Sequence, residues 1–346
     1  MTVKFFLGAN SGKGFFSLYD EFRHGENDVL HLIKGGPGGG KSGFMRKIGK
    51  AAEEAGFDVE YILCSGDPDS LDGVYIPALH TGYADATAPH IIEPKCFGLD
   101  SCYVNLGQFC EPVQSNAIAE YTKDYKTMYS RAYSMLAAAK EVKSSEIPLF
   151  LTNSDIIAAK KRAKSALNRE LGRSKGGVGK ASKRFIRCIS CKGELALNST
   201  VSELCKHIYK LDDRLGLAKY YLSEIAESCA LRGENTTLCP SPLDPEVLDA
   251  VLLPDRALGF VSASVMELEA PWRHVRLDSL VDAEKVRAHR GEIRRSERLY
   301  EALLNEACLY LKEAKQYHDL LEKAYNPHVD FEALNRFTQK EIETLF

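Results

Sequence analysis

The segment Gly35-Gly36-Pro37-Gly38-Gly39-Gly40-Lys41-Ser42, followed by Gly43, fits the pattern G-x-x-x-x-G-K-S. These residue types suit the cradling of a polyphosphate. Glycines let consecutive backbone N–H groups turn toward one anion without a Cβ in the way. A helix starting at the end of such a loop adds the partial positive charge of its N-terminus. Lys41 can then reach the β- and γ-phosphates, and the Ser42 hydroxyl can ligate Mg²⁺. Gly35 to Gly43 are therefore the expected nucleotide-binding residues.

Magnesium in such a site takes a second ligand from an acidic residue at the end of a neighbouring strand. Asp85, in "HTGYADATAPH", is the expected partner, with Ser42 as the other metal ligand. Asp67, Asp69 and Asp72 compete for the role, but "GDPDSLDG" also suits capping and turn formation. His90, five residues past Asp85, completes the catalytic candidates with Lys41 and Asp85.

The elements that must position these groups are legible around them. "VLHLI" (29–33) is an apolar run of strand length before the loop. After it Phe44, Met45, Ile48, Ala51, Ala52 and Ala55 recur at helical spacing, and Gly56 stands where a helix stops. "FDVEYILC" (57–64) reads as the next strand. The motif thus lies between strand and helix, the context it requires. "SKGGVGKAS" (174–182) has similar letters but follows a polar helical run, and Ala181 stands where a hydroxyl is needed. It reads as part of a linker.

The chain also repeats itself. "CSGDPDSLDGVYIP" from Cys64 is echoed by "CPSPLDPEVLDAVLLP" from Cys239. "FFLGANSGKG" (5–14) faces "RFIRCISCKG" (184–193), and the segment from Ala139 faces the segment from Ala314. Offsets between 175 and 179 at three ordered anchors indicate a duplicated domain. The expected division is a nucleotide-binding domain over 1–170, a linker over 171–183 and a second copy over 184–346.

The copies differ where the chemistry lies. Opposite the phosphate loop, "KLDDRLGLAKYYLSEIAESC" from Lys210 has no Gly-rich cradle, lysine and hydroxyl in any register. Asp85 faces Ser262 and His90 faces Glu267, whereas Asp67, Pro68, Leu71, Asp72, Pro77, Lys13 and Gly14 keep their partners. The residues lost with the loop belong to nucleotide chemistry; the retained ones serve the scaffold.

The chain has 346 residues, 45% hydrophobic and 27% charged, with net charge −3, so nucleic acid and anionic membrane are not indicated as partners. No apolar run approaches a membrane span and no signal peptide is evident, so a cytoplasmic protein with reduced cysteines is expected. Cys188 and Cys191 form a CxxC with no second pair, which argues against a zinc ribbon. Tyr121, Tyr125, Tyr129 and Tyr133 lie four apart and read as a helix packing face, with base stacking the sharper alternative.

Together, "GANSGKGFFSLYDEF", "IKGGPGGGKS", "CSGDPDSLDGVYIP" and "DATAPHIIEPK" resemble a bacterial family of tandem-repeat P-loop ATPases. The resemblance implies two P-loop domains and ATP binding, but supplies no substrate. This chain departs from it by lacking the second loop. The expected fold is α/β: two tandem P-loop-type domains with mostly parallel sheets flanked by helices. The expected activity is binding of Mg·ATP, or GTP, and hydrolysis in the first half, the second half being structural or regulatory. Small-molecule phosphorylation and a non-hydrolysing nucleotide switch are the alternatives.

Overall fold

The structure is a computed structural model, which describes all residues except 26, 95, 114, 146–150, 173–175 and 264–270. Two six-stranded sheets form its centre. The first runs, in spatial order, β1 (Thr2–Phe5), β5 (Val59–Leu63), β6 (Leu71–Ile76), β7 (Thr81–Asp85), β4 (Val29–Lys34), β8 (Ser101–Asn105). The second runs β9 (Ala181–Lys183), β13 (Thr236–Pro240), β14 (Leu248–Leu253), β15 (Leu258–Ser262), β12 (His207–Asp212), β16 (Arg273–Arg276). The orders match strand for strand, as duplication requires. Each half also has a hairpin, β2–β3 (Gly8–Ser11, Gly14–Ser17) and β10–β11 (Arg187–Ser190, Gly193–Ala196).

Both sheets are mixed, each with three parallel and two antiparallel strand pairings. β6 and β14 are antiparallel to both their neighbours. The short "GDPDS" turn from β5 to β6 is the reason: only an antiparallel partner can be reached without a crossover. β4, β7 and β8 are mutually parallel neighbours, so β4 and β7 end on the same edge.

The helices are α1 (Lys41–Glu54), α2 (Asn116–Ser145), α3 (Asn153–Leu171), α4 (Asn198–Leu204), α5 (Ala218–Arg232), α6 (Ala283–Ala288), α7 (Arg290–Tyr325) and α8 (Phe331–Leu345). On α1 the periodic apolar residues Phe44, Met45, Ile48 and Ala52 are buried on one face. The three larger side chains stabilise this docking by about 1.5–3 kcal/mol each.

The halves are interlocked. Long helices α2 and α7 run antiparallel along one another, bringing Tyr125 to His318 and Lys143 to Tyr300. Beyond them the terminal helices cross over: α3 packs on α5 of the second half, and α8 packs on α1 of the first. Phe6 and Phe185 exchange backbone hydrogen bonds, both 2.9 Å, at the centre of this arrangement. One apolar cluster containing both phenylalanines spans the two halves.

Here the repeated Asp-Pro segments have their use. Asp67 pairs with Lys315 and Asp244 with Lys140, each at 3.4 Å, and each lysine comes from the other half's long helix. Lys192 pairs with Asp69, and Lys13 with Glu246, across the same junction. The motif persists in both copies because it receives the opposite copy. The stretch read as linker is partly structured: β9 extends the second sheet, and Gly179 presses its backbone against Glu234. "SKGGVGKAS" therefore leads into a strand instead of following one.

Candidate phosphate site and adjoining cavity

The loop 35–40 joins the end of β4 to α1, with Lys41 as the first helical residue. Gly38 (φ +67°) and Gly40 (φ +78°) adopt left-handed conformations that glycine tolerates best. Both are also tightly covered. A Cβ on Gly40 would lie 2.5 Å from Leu334, and one on Gly38 would lie 2.5 Å from Asn326 and 3.1 Å from Glu322. The second half thus roofs the loop of the first. Gly40 is the N-cap of α1, and among the described residues no side chain caps that terminus.

Lys41 Nζ donates to the carbonyls of Gly35 (2.7 Å) and Gly36 (3.0 Å) and lies 3.6 Å from Asp85 Oδ2. Asp85 ends β7, in register with Ile33 of β4, so its carboxylate stands beside the loop. It is 8% exposed, and Oδ1 accepts from Thr87 N at 2.9 Å and Thr87 Oγ1 at 2.5 Å. Ser42 Oγ accepts from Leu71 N at 2.9 Å, leaving its hydroxyl proton and a second lone pair. Ser42 and Asp85 offer hard oxygen donors of the kind that suit Mg²⁺. Lys41 thus stands beside Asp85, and Ser42 follows it on the first turn of α1.

The second half is built differently at this place. At the corresponding helix start, Asp213 turns its carboxylate onto the amides of Leu217 and Ala218, both at 2.8 Å. Asp278 accepts from the amides of Arg214 (3.0 and 3.2 Å) and Leu215 (3.2 Å). Two internal carboxylates occupy amides that a phosphate would need. Ala218 stands at the place of Lys41 and Ser262, ending β15, at the place of Asp85.

His90 is 7% exposed and does not lie against Lys41. Its Nε2 is 3.3 Å from Asp72 Oδ2, and Tyr19 donates its hydroxyl to the same oxygen at 2.9 Å. The rings of Phe15 and Tyr19 hold the imidazole at centroid distances of 5.1 and 4.8 Å. Nδ1 has no hydrogen-bond partner among the described residues. Asp72, read from the sequence as scaffold, is thus the partner of a site candidate. Burial raises its pKa, with a further rise from the charge of Asp85, while His90 and the Tyr19 hydrogen bond oppose it. Cys64 also reaches this group: ligating atoms of Cys64, Asp72 and His90 lie within 4.8 Å of one another. Burial pushes the Cys64 thiol well above its usual range.

His90 lines a cavity of about 820 Å³ whose walls include Phe15, Cys64, Tyr125, Tyr129 and Tyr133. Three of the four spaced tyrosines therefore wall an opening as well as packing on one another, at 5.0 and 5.7 Å between successive rings. Sequence reasoning missed the contributions of α7 and α8. Glu322, Asn326 and Leu334 lie nearly 300 residues beyond the loop, and nothing in their types marks them. Glu267, the counterpart of His90, lies outside the described residues. Cys188 is buried, and burial pushes its thiol up to about 12, which disfavours thiolate chemistry at the CxxC.

No family model, curated protein or solved structure matches the chain. Among the described residues, no helix is long and apolar enough to cross a membrane.

Proposed function

We propose that the first half binds one Mg·ATP per chain at Gly35–Gly43 and hydrolyses it. The carrying observation is the convergence of Lys41, Ser42 and Asp85 around an uncapped helix terminus, set against the carboxylate-filled terminus in the second half. In this reading Lys41 leaves its carbonyl contacts for the β- and γ-phosphates. Ser42 and Asp85 hold the metal, which supplies neutralising positive charge when bound. Ala86 follows Asp85, so no acidic side chain comes next in the chain to position water. Turnover without help is accordingly slow. Glu322, brought to the loop by α7, is a group through which the second half can act.

Titration calorimetry with ATP and Mg²⁺ on the intact chain tests the first reading. One site is expected, with Asp85→Ala removing most of the magnesium dependence and Ser262→Ala leaving it unchanged. A stoichiometry near two, or none, overturns it.

A further inference from the structure

Cys64, Asp72 and His90 come from three segments at one end of the first sheet. Cys64 directly follows β5, and its amide donates to the Ser70 carbonyl at 3.0 Å, which closes the turn into β6. Asp72 is the second residue of β6. His90 ends the turn after β7, its amide donating to the Thr87 carbonyl at 2.7 Å. One ligating atom of each residue lies within 4.8 Å of the other two, and Asp72 and His90 are buried.

The group is short of positive charge. Among the described residues, His90 is the only ion partner of Asp72, and the contact of Nε2 with Oδ2 at 3.3 Å lacks the alignment of a hydrogen bond. The charge of Asp85 adds to the negative potential at Asp72. Tyr19 donates its hydroxyl to Asp72 Oδ2 at 2.9 Å, and the rings of Tyr19 and Phe15 hold the imidazole. Carboxylate and imidazole are therefore oriented by their surroundings without being joined to each other.

The second copy gives an internal comparison. Its counterparts of Cys64 and Asp72 are Cys239 and Asp249, and there a fixed cation sits on the aspartate. Arg187 Nη2 and Nε donate to Asp249 Oδ2 at 3.0 and 3.2 Å, and Nη1 also meets Glu194. In the first copy Gly8 holds the strand position of Arg187, and Phe15 holds that of Glu194. A Cβ on Gly8 would lie 2.6 Å from the Phe15 ring, so no side chain from that position can supply the charge. The first copy thus has the thiol and the carboxylate, lacks the arginine, and adds an imidazole.

We propose that Cys64 Sγ, the Asp72 carboxylate and His90 Nε2 bind a divalent cation of the zinc class, with a fourth coordination position open to the adjoining cavity. Thiolate, imidazole and carboxylate together suit borderline-soft Zn²⁺, whereas Mg²⁺ and Ca²⁺ take oxygen ligands. Tetrahedral ligands at zinc bond lengths stand about 3.3 Å apart for nitrogen and oxygen, and about 3.6 Å for nitrogen and sulfur. The Nε2–Oδ2 separation matches the first value, and the thiol needs only a small inward movement to meet the second. On ligation the thiol gives its proton to solvent, and the imidazole keeps its proton on Nδ1. Tyr19 is a positioning residue that holds the carboxylate. Three protein ligands with one open position are the pattern of catalytic zinc sites, not of structural ones. Cys64 and His90 both line the cavity of about 820 Å³, which gives the ion an entry path and the fourth position room for water or a small-molecule donor. The assignment does not depend on nucleotide binding at the Gly-rich loop.

The test uses the tag-free full chain, stripped with chelator and titrated with Co²⁺ as a probe for zinc. One Co²⁺ per chain is expected, with a near-ultraviolet thiolate charge-transfer band and the strong visible bands of a tetrahedral site. Zn²⁺ should abolish these bands and excess Mg²⁺ should leave them unchanged. Cys64→Ser should remove the charge-transfer band. His90→Gln should weaken binding at least tenfold, and Tyr19→Phe should weaken it about tenfold while keeping the band. Cys191→Ser, at the CxxC of the second half, should change neither band nor affinity. X-ray absorption at the zinc edge of the wild-type protein needs no variant, and should show one sulfur and two or three nitrogen or oxygen neighbours. Circular dichroism checks that each variant has folded, and where one has not, the X-ray absorption result decides. Failure of wild type to bind Co²⁺, displacement by Mg²⁺, two or more sulfurs at zinc, or a charge-transfer band that survives Cys64→Ser or disappears in Cys191→Ser overturns the proposal.

Discussion

Lys41→Ala should move stability and turnover by different mechanisms, and the two can be separated. In the nucleotide-free protein Lys41 lies 3.6 Å from Asp85, with side chains only 14% and 12% exposed. At an effective dielectric of about 20 the pair attracts by about 4 kcal/mol, most of it offset by desolvation of the two charges. Removing the lysine leaves Asp85 with Thr87 as its remaining partner. A net loss of about 1–2 kcal/mol is expected, because the site keeps some water and the fully buried case costs 3–5 kcal/mol. That corresponds to a Tm lower by roughly 1–3 °C for a chain of this length unfolding as one unit. The effect on catalysis should be larger. Loss of a preorganised donor to developing phosphate charge costs about 2–4 kcal/mol, or roughly 30- to 1000-fold in turnover. Adding Asp85→Asn removes the stranded charge, so the double variant should regain stability but not activity. Thermal melts and a phosphate-release assay on the three variants read both quantities. Undiminished turnover in folded Lys41→Ala would refute the site assignment. A single variant with unchanged Tm would refute the ion-pair account.

Asp213→Ala removes the carboxylate that holds two amides at the start of α5, and should lower stability by about 1–2 kcal/mol in urea unfolding. The ATP stoichiometry should nevertheless stay at one, since Ala218 stands where Lys41 does in the first half and Ser262 brings no carboxylate to the place of Asp85. Lys180→Ala should leave ATP affinity in calorimetry unchanged, because its loop enters β9 and contacts the His24 carbonyl. His31 stacks on Tyr83, and burial lowers its pKa to about 4. The unfolded chain therefore takes up the proton first as pH falls below about 6.5, and the folded state loses about 1.4 kcal/mol per pH unit until about pH 4, some 3 kcal/mol altogether. His31→Leu should flatten that part of the stability profile in acid titration followed by circular dichroism, and an unchanged slope would show that another group carries it.

The Gly-rich loop was legible because its pattern is local. Gly35 to Ser42 are contiguous, and the strand before them and the helix after them carry their own periodicity. Asp85 and the duplication were legible for a related reason: the copies can be compared residue by residue, and a change confined to one copy marks chemistry rather than scaffold. The same comparison assigned Asp72 to the scaffold, since an aspartate persists at 249. Only packing showed that the two aspartates have different partners, His90 in one half and Arg187 in the other. The inverted β6 and β14 also lay beyond the sequence, because an apolar run carries no direction and the turn before it decides which neighbour it meets. So did the exchange of α3 and α8 between halves. An amphipathic helix specifies the face it must bury, not which of two similar sheets will bury it. That choice, made by the long α2–α7 pair, is what sets Glu322, Asn326 and Leu334 over the loop and leaves a cavity beside His90.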